Sequence, residues 1–573
     1  MANYEGLARV LRAMVVVAVA LAVAGVQAAR AQDAGGDEPA VPGDQAEAVP
    51  GDQAEAVLGP EAEAASGDEA STTTDADADA DADAEAGTDD GAEADVNRGE
   101  DAGTTFYGSV SGEYQIRGNA MSDIPLTPLT TDGVTSRSLG QNYWVEQWIR
   151  IRAELGIRPY LKLVGQIDLL NGVVAGDLAQ GVSAAERPRD DYTAFSGSGV
   201  RPRWLYLDWL INPVGLLRAG VVGSHWGLGI LANDGDHAPI FGDYRYGDLV
   251  ARVLFATRPF GLTRPWVIAV AGDYVLNDIT ANTFDGDRAW QGVLAAYYEK
   301  DERRVGLYGV YRSQLNELGD YLHVGVVDAN VRWDTDEPSG GRVFFALEAA
   351  YAFGRTTVTR SIEHSAYDVR QFMAVAQLGR HTDRFDVVFE GGYTSGDSNT
   401  LDGVQSRATL DPDHRVGLIL FPEVLGAMTA RIGTLARSPE LVGRPPRGSE
   451  LLPSNGGVQG AMYLFPYVLW RPKKWIEARL GAVLARATSD VIDAYAQRAR
   501  SENVSYRGGD PTYRDLGFEL DSSVLVRGDL SNGVSLSGGI EGGILFTGRA
   551  FDDAAGQPMD DVGLVRLRGG LSW

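Results

Sequence analysis

Residues 145–158 read VEQWIRIRAELGIR, and this stretch decides the fold class of the chain. Every second residue from Ile149 to Ile157 is apolar, and the positions between them are mostly Arg or Glu. A period of two is typical of a β-strand with one apolar and one polar face. Residues 106–117 show the same alternation. A soluble β-sandwich also alternates. The order of strands and loops along the chain is therefore needed to distinguish a sandwich from a membrane β-barrel.

The alternation predicts eighteen strands between Thr105 and Trp573. In chain order they span 105–117, 143–157, 160–170, 203–211, 214–223, 248–258, 264–277, 288–299, 303–313, 320–333, 341–354, 367–380, 383–395, 457–471, 474–488, 513–527, 531–547 and 561–573. The gaps alternate between short turns and long loops, and only the gap at 314–319 is too short for its long-loop position. An even strand number with short turns at one end and long loops at the other is typical of a transmembrane antiparallel β-barrel, with periplasmic turns and extracellular loops. The sequence therefore predicts an all-β fold, a barrel of about 18 strands over residues 105–573.

Aromatic residues cluster near the predicted strand ends, as they do where a barrel meets the two membrane interfaces. The tryptophans in such positions are Trp144, Trp266, Trp290, Trp333, Trp470, Trp475 and Trp573. Edge aromatics of a soluble protein are the alternative interpretation. The 71 glycines are compatible with tilted strands whose backbones approach closely.

The composition excludes several other classes of protein. The chain has 573 residues, no Cys, a formal net charge of −29 and a mean hydropathy of −0.15. Without Cys there is no disulfide scaffold, no Cys-ligated zinc or iron–sulfur site and no Cys nucleophile. A mean hydropathy near zero argues against a bundle of membrane-spanning helices. The sequence also contains no GxSxG, Walker or HExxH motif.

The first 31 residues are typical of a secretory signal peptide. Arg9 and Arg12 precede an apolar run at 13–25, and ARA at 29–31 supplies small residues where a signal peptidase cleaves. A retained membrane anchor is the alternative, but a spanning helix needs about 20 apolar residues and this run is shorter. We expect export, with cleavage near the end of this segment.

Residues 32–104 are predicted to be a disordered acidic tail rich in Asp and Ala. The octapeptide AVPGDQAE occurs at 40–47 and again at 48–55, and Asp-Ala alternation follows from Asp75 to Ala84. With 23 acidic residues and one Arg, the tail carries a charge of −22. Such a chain buries too little apolar area to offset the entropy cost of ordering. A solvated spacer is the preferred interpretation, and divalent-cation binding by the Asp run is the alternative.

The last predicted strand resembles the C-terminal signal of Gram-negative outer-membrane barrels. The residues on its apolar face are Gly563, Val565, Leu567, Gly569, Leu571 and Trp573. This resemblance implies a location in the outer membrane and recognition of Trp573 by the barrel-assembly machinery. The strand count and the segments WGLG at 226–229 and FEGGYTSGD at 389–397 resemble alginate-export-like channels of eighteen strands.

If the apolar faces meet lipid, the alternate residues line the interior of the barrel. The basic candidates for the pore wall are Arg117, Arg150, Arg152, Lys162, Arg252, Arg312, Arg332, Arg342, Arg370, Arg479, Arg566 and Arg568. The acidic candidates are Glu113, Glu146, Glu154, Asp168, Asp273, Asp328, Glu348, Asp386, Glu390, Glu477, Glu519, Asp521 and Glu541. The two sets are nearly equal, so no simple ion selectivity follows from them. A barrel of this size leaves an aqueous channel unless something plugs it.

The longest gap, 396–456, is predicted to contain a short amphipathic helix. Pro422 suits a first helical turn. The apolar residues that follow at roughly helical spacing are Val424, Met428, Ile432 and Leu435. This loop either folds inward and narrows the channel or packs its helix on the outer rim, and the sequence favours neither arrangement.

Another loop, 224–248, carries six residues of metal-ligating type. They are His225, Asp234, Asp236, His237, Asp243 and Asp248. Their spacing matches no defined ligand pattern, so polar residues that cap turns are the preferred interpretation. We accordingly predict no metal, no cofactor and no catalytic residues.

The leading functional hypothesis is an outer-membrane, porin-like channel for passive passage of small hydrophilic solutes, among them sugars or acidic oligosaccharides. A non-conducting barrel that anchors surface loops is the second hypothesis. A lipid hydrolase is the third, and its weakness is that His323 and His364 lack an evident Ser partner in the sequence. The predicted partners are outer-membrane lipid, the assembly machinery that reads the C-terminal strand, and the permeating solutes, with no nucleic acid.

Overall fold

Eighteen antiparallel strands form one closed sheet in a computed structural model of the chain. The structure describes residues 105–126, 137–179, 200–243, 247–261, 263–300, 302–337, 340–358, 361, 363–430, 453–530 and 533–573. The barrel strands are β1 (Thr105–Met121), β2 (Tyr143–Arg158), β3 (Leu161–Gly176), β4 (Val200–Ile211), β5 (Gly215–Val222), β6 (Leu249–Thr257), β7 (Trp266–Asn277), β8 (Arg288–Lys300), β9 (Arg303–Leu315), β10 (Tyr321–Asp336), β11 (Arg342–Thr356), β12 (Tyr367–His381), β13 (Phe385–Thr394), β14 (Ala461–Lys473), β15 (Ile476–Ala487), β16 (Asp515–Asp529), β17 (Ser535–Thr547) and β18 (Val562–Ser572). The predicted eighteen-stranded barrel is therefore confirmed, whereas the predicted signal peptide and acidic tail lie outside the described residues.

Short elements decorate the loops of the barrel. Two-residue strands at Pro125–Leu126 and Arg137–Ser138 pair with each other, and Val404–Gln405 adds to β12. A π-helical segment spans Leu420–Leu425, and α1 spans Ala494–Arg500. Among the residues that the structure describes, no helix is long and apolar enough to cross a membrane.

The barrel closes through its first and last strands. β1 pairs with both β2 and β18. The C-terminal Trp573 extends this seam, because its backbone N–H donates to the Gly112 carbonyl at 3.0 Å and its carbonyl accepts from the Gly112 N–H at 3.0 Å. A Cβ on Gly112 would lie 2.4 Å from the Trp573 ring, so only glycine lets the ring approach here. Closure removes the free sheet edges, which a strand inside a bilayer requires.

The two ends of the barrel carry connections of different length. The connections at one end have two to eight residues, and we call this the turn end. Those at the other, which we call the loop end, mostly have ten residues or more. The five-residue connection at 316–320 is the exception that the sequence indicated. Both Thr105 and Ser572 lie at the turn end, opposite residues that flank short turns.

The outer face of the barrel is apolar. Alternate strand residues such as Leu294, Leu378 and Leu567 point outward, and Leu567 is 61% exposed. The residues between them are largely polar and point inward, as Arg566 does at 1% exposure. Since a soluble protein does not expose so extensive an apolar surface, the barrel spans a lipid bilayer and a soluble sandwich is excluded. A closed barrel of eighteen strands with an apolar outer band is the architecture of outer-membrane porins.

Most of the predicted interface tryptophans lie on this outer face. Trp290, Trp333 and Trp475 are exposed near strand or turn ends. Trp144 differs, because it is buried in an apolar cluster that includes Met121. The prediction for Trp144 is wrong since the pleat of β2 turns its side chain into the barrel.

Candidate functional site: the barrel lumen

Two connections of the loop end fold into the lumen. Loop 223–248 joins β5 to β6, and loop 395–460 joins β13 to β14. Loop 223–248 reaches the far wall, where the Gly242 N–H donates to Glu541 of β17 at 3.1 Å. Asp243 forms an ion pair there with Arg568 of β18 at 2.6 Å. Contacts with strands on opposite sides of the barrel place this loop across the interior.

A tight turn in loop 223–248 docks on β10 and β11. The indole N–H of Trp226 donates to Asp328 at 3.0 Å, and the Leu228 N–H donates to Glu348. Gly227, between them, has a φ of 58°, and a Cβ there would lie 2.4 Å from a Glu348 carboxylate oxygen. Any other residue at this position would therefore push the turn away from the wall.

Loop 395–460 is held inside by a carboxylate of β16. Glu519 accepts hydrogen bonds from the backbone N–H groups of Leu418, Ile419 and Leu420 at 2.6, 2.8 and 2.7 Å. These donors precede or begin the helical segment and have no partner within its first turn. The side chains of all three are completely buried.

The structure contains the predicted helical segment and places it inside the barrel, where it is buried on all sides and is therefore not the amphipathic helix that the sequence predicted. Pro422 lies in its first turn, and Val424 and Met428 are both fully buried. The cluster around them includes Phe465 and Val483 from the inner faces of β14 and β15. Of the two arrangements that the sequence left open, the described part of the loop adopts the inward one. Ile432 and Leu435 lie outside the described residues.

His414 joins the two inserted loops to the wall. Its Nδ1 lies 3.0 Å from the Leu228 carbonyl, and its Nε2 lies 3.5 Å from a carboxylate oxygen of Glu390 and 3.4 Å from the Tyr463 hydroxyl. Burial alone would lower the pKa of His414, but the hydrogen bond and charge of Glu390 raise it above the usual value. A protonated imidazole donates from both nitrogens, which suits the carbonyl and the carboxylate together.

The charged residues of the wall neutralise one another across neighbouring strands. Arg150 lies opposite Asp168 in register, and the two side chains pair at 2.8 Å. Arg252 lies opposite Asp273 in the same way, with a distance of 2.7 Å. Cross-strand neighbours on one face approach to about 5 Å at Cβ, close enough for such pairs. The sequence contains nearly equal numbers of basic and acidic wall residues, and in the structure such residues form local ion pairs.

The structure places nearly all of the predicted pore-wall residues on the inner face. These are Arg117, Arg150, Arg152, Lys162, Arg252, Arg312, Arg332, Arg342, Arg479, Arg566, Arg568, Glu113, Glu146, Glu154, Asp168, Asp273, Asp328, Glu348, Asp386, Glu390, Glu477, Glu519, Asp521 and Glu541.

Arg370 is the exception, and the prediction that it lines the pore wall is wrong. Its side chain is 60% exposed on the outer face, where it pairs with Asp368 at 3.0 Å. The inner face of β12 packs on loop 395–460, because the Gln371 side chain donates to the Arg407 carbonyl at 2.7 Å, and Met373 and Val375 belong to a buried cluster with Leu410. A polar side chain therefore does not mark the lumen side of a strand that packs on an inserted loop.

In the described part of the barrel, two sizeable cavities lie in the lumen beside the inserted loops. The larger, of about 590 Å³, extends to the turn end and is lined by Tyr160, Arg218 and Arg252 among others. The smaller, of about 240 Å³, extends to the loop end, where Arg312 and Gln405 line it.

Both cavities are lined by Ser224 and Tyr308, which form a septum between them. Ser224 is held by Arg252, whose guanidinium donates to its hydroxyl at 3.2 Å. The sequence did not single out Ser224 or Tyr308, since neither belongs to a recognisable motif. Ser224 and Tyr308 come together only because loop 223–248 packs on β9 in the folded barrel.

The six predicted polar residues of loop 224–248 divide into two groups. Asp236 pairs with Arg150, Asp243 pairs with Arg568, and Asp248 belongs to a buried acidic group that includes Asp411. The other three residues, His225, Asp234 and His237, come together beside the larger cavity.

The environment of this second group sets the charge of its members. Burial and the neighbouring His237 lower the pKa of His225 to about 4, so its ring is neutral at neutral pH. Burial would raise the pKa of Asp234, but the His237 hydrogen bond and the nearby imidazoles lower it below its usual value. Asp234 is therefore a carboxylate.

The two histidines considered for a hydrolase lie in other surroundings. The His323 ring stacks on Tyr321 with centroids 4.8 Å apart, on an exposed part of β10. The His364 ring meets Tyr367 edge to face, and it is the His364 backbone N–H, not the ring, that donates to Ser361. Neither of these contacts is a Ser–His pair of the kind that activates a hydroxyl nucleophile.

Comparison with known proteins finds similarity at the level of the fold. No protein family and no curated protein matches the sequence. Among solved structures, the chain is similar to OccK5 (OpdH) of Pseudomonas aeruginosa, with a TM-score of 0.40 and 8% identity over 81% of this chain and 97% of that one. It is similar to OccAB1 of Acinetobacter baumannii, with a TM-score of 0.43 and 9% identity over 81% and 96%. OpdK of P. aeruginosa, crystallised with vanillate, gives a TM-score of 0.43 and 9% identity over 81% and 99%.

Proposed function

We propose that this chain is an outer-membrane channel for the passive passage of small hydrophilic solutes along the two lumen cavities. The observation that carries the proposal is their arrangement, because the larger extends toward the turn end, the smaller extends toward the loop end, and Ser224 and Tyr308 line both. Among the residues that the structure describes, Ser224 and Tyr308 line both cavities, so a solute that moves from one to the other passes them. The inner-face charges are the pore-wall residues of the proposed path.

The chemistry of the path supports hydrophilic solutes. Arg218 and Arg252 of the larger cavity and Arg312 of the smaller one are each paired with an aspartate, so the wall is polar but locally neutral. Alternating charges of this kind select by size and by the arrangement of polar groups. Sugars and acidic oligosaccharides remain the proposed solutes, because their hydroxyl and carboxylate groups can exchange hydrogen bonds with paired Arg and Asp side chains.

The proposed function also includes export of the chain and its assembly in the outer membrane. We propose that a signal peptide at 1–31 directs export and that the acidic segment 32–104 serves as a solvated spacer. Trp573 is read by the assembly machinery, and its position at the barrel seam supports a role in closure. The protein acts as a channel and not as an enzyme.

The septum also favours one competing function, a closed barrel that only anchors its surface loops. Planar-bilayer recordings separate the two functions. We expect small but measurable conductance for the wild type and a larger one for Tyr308→Ala, because removal of this ring widens the septum. Tyr311→Ala is the matched control, since Tyr311 lies on the outer face of the same strand and is exposed. If both wild type and Tyr308→Ala stay silent while the folded barrel inserts, the channel proposal is wrong and the anchoring function replaces it.

A further inference from the structure

Loop 223–248 gathers three side chains with possible metal-binding atoms. One ligand atom each from His225, Asp234 and His237 lies within 4.8 Å of the other two. The His225 and His237 rings are stacked with centroids 3.8 Å apart, and His237 Nδ1 lies 3.0 Å from Asp234 Oδ1. Among the residues that the structure describes, these three are the His, Asp or Glu residues whose metal-ligating atoms lie this close together.

The burial of the His225 ring nitrogens supports a metal site independently of these distances. Both nitrogens are inaccessible to solvent, and neither makes a well-formed hydrogen bond, although the Gly227 backbone and the Asn233 side chain lie close to the ring. Buried polar atoms are nearly always paired, so a ring whose nitrogens lack well-formed bonds can take a further partner. An imidazole binds a metal ion through the lone pair of one ring nitrogen, while the other nitrogen keeps its hydrogen.

The backbone around these ligands is held in place from several directions. The Arg203 guanidinium donates to the Asp234 carbonyl at 2.5 Å, and the Arg150 guanidinium donates to the Gly235 carbonyl at 3.0 Å. The Asp248 N–H donates to the Asn233 carbonyl at 2.8 Å. A loop fixed in this way presents its side chains without a large entropy cost on binding.

We propose that His225, Asp234 and His237 bind a divalent transition-metal ion of the zinc type at the edge of the larger lumen cavity. Two imidazoles and one carboxylate favour such an ion over Mg²⁺ or Ca²⁺, which prefer oxygen ligands. Bonds of about 2.1 Å in a tetrahedral site separate ligand atoms by roughly 3.4 Å, so the three atoms approach one another by at most about 1.4 Å on binding. The stacked imidazoles, whose planes are 26° apart, also rotate so that a lone pair of each points at the ion.

Three protein ligands leave one position of a tetrahedral ion open. All three residues line the larger cavity, so an ion that they bind lies at the cavity wall. The ion would there bind a water molecule or an anionic group of a solute. The site itself does not depend on whether the barrel conducts.

The test is metal binding to the full chain, purified in detergent and stripped of metal. Calorimetric titration with ZnCl₂ is expected to show one site, with affinity reduced at least 10-fold in His225→Ala, His237→Ala and Asp234→Asn. His323→Ala is the matched control and should bind as the wild type does, because His323 lies on an exposed part of β10. Failure of the wild type to bind Zn²⁺, or unchanged affinity in all three variants, overturns the proposal.

A spectroscopic measurement on the wild type covers the case in which a variant does not fold. Pulsed electron paramagnetic resonance of the Cu²⁺-loaded protein should show two coordinated imidazoles. The acidic segment 32–104 contains no histidine, so Cu²⁺ bound there shows none. A count of zero or one imidazole contradicts the site.

Discussion

Glu519 is the residue whose replacement tests most directly how loop 395–460 is kept in the lumen. Its two carboxylate oxygens accept three consecutive backbone N–H groups, from Leu418, Ile419 and Leu420. In Glu519→Ala these three buried donors lose their acceptor together. The barrel strands retain their ladder, so we expect the loop and not the barrel to respond.

The free energy by which Glu519 stabilises the docked loop can be estimated from the number and type of these hydrogen bonds. Each bond to a charged group contributes roughly 1.5–3 kcal/mol, so the three together contribute about 4.5 kcal/mol at the lower figure. Water that enters the space left by the side chain replaces part of this, which leaves a loss of about 3 kcal/mol. At 1.36 kcal/mol per factor of ten, the undocked loop becomes roughly 100-fold more populated. Glu519→Gln keeps Oε1, which accepts from Leu418 and Ile419, so we expect an increase of only about 10-fold.

Hydrogen exchange measured by mass spectrometry over residues 418–430 reads out the docked state. We expect protection to fall by these factors in the two variants. Glu299→Ala is the control, because this inner-face carboxylate pairs with Arg304 of the next strand at 2.7 Å. If Glu519→Ala leaves the protection of 418–430 as high as in the wild type, the carboxylate does not hold the loop and the reasoning is refuted.

Three other outcomes test separate parts of the structure. The raised pKa of His414 makes its stabilisation complete below the usual value of about 6.5. That stabilisation is lost as pH rises through the raised value, so the protection factors at 411–414, corrected for the intrinsic base catalysis of exchange, should fall above neutral pH. In His414→Gln these protection factors should no longer depend on pH. Arg252→Ser should increase cation selectivity in bilayer recordings by leaving a lumen carboxylate unpaired, whereas Arg370→Ser on the outer face should change nothing; equal effects would contradict their placement. Trp573→Ala should lower the fraction of heat-modifiable, folded barrel on a gel, and an unchanged fraction would remove this residue from assembly.

Much of the wall could be predicted from the sequence because a strand repeats every two residues. The eighteen strands and the inward position of residues such as Arg150 and Arg566 follow from local alternation. The same rule gives the wrong face for Arg370 and the wrong surroundings for Trp144. In both places the inner face packs against protein and not water, so apolar residues lie on that side too.

The lumen itself depends on contacts between residues far apart in the chain. Glu519 and Leu418 are 101 positions apart, and Gly242 and Glu541 are 299 apart. Alternation in one strand carries no information about a loop that approaches it from another part of the barrel. The meeting of His225, Asp234 and His237 has the same origin, because their spacing in the loop resembles no ligand motif.

The amino-acid sequence by itself determined the strands of this protein, their number, their pairing order and the apolar band that faces lipid. Each of these rests on short-range periodicity and on the need to pair every backbone group in a bilayer. Only the tertiary structure decided that two loops turn inward, which side chains they neutralise and which space they leave. The physical reason is that burial of loop 395–460 depends on apolar area and hydrogen-bond partners supplied by strands β14, β15 and β16, whose positions exist only once the barrel has closed.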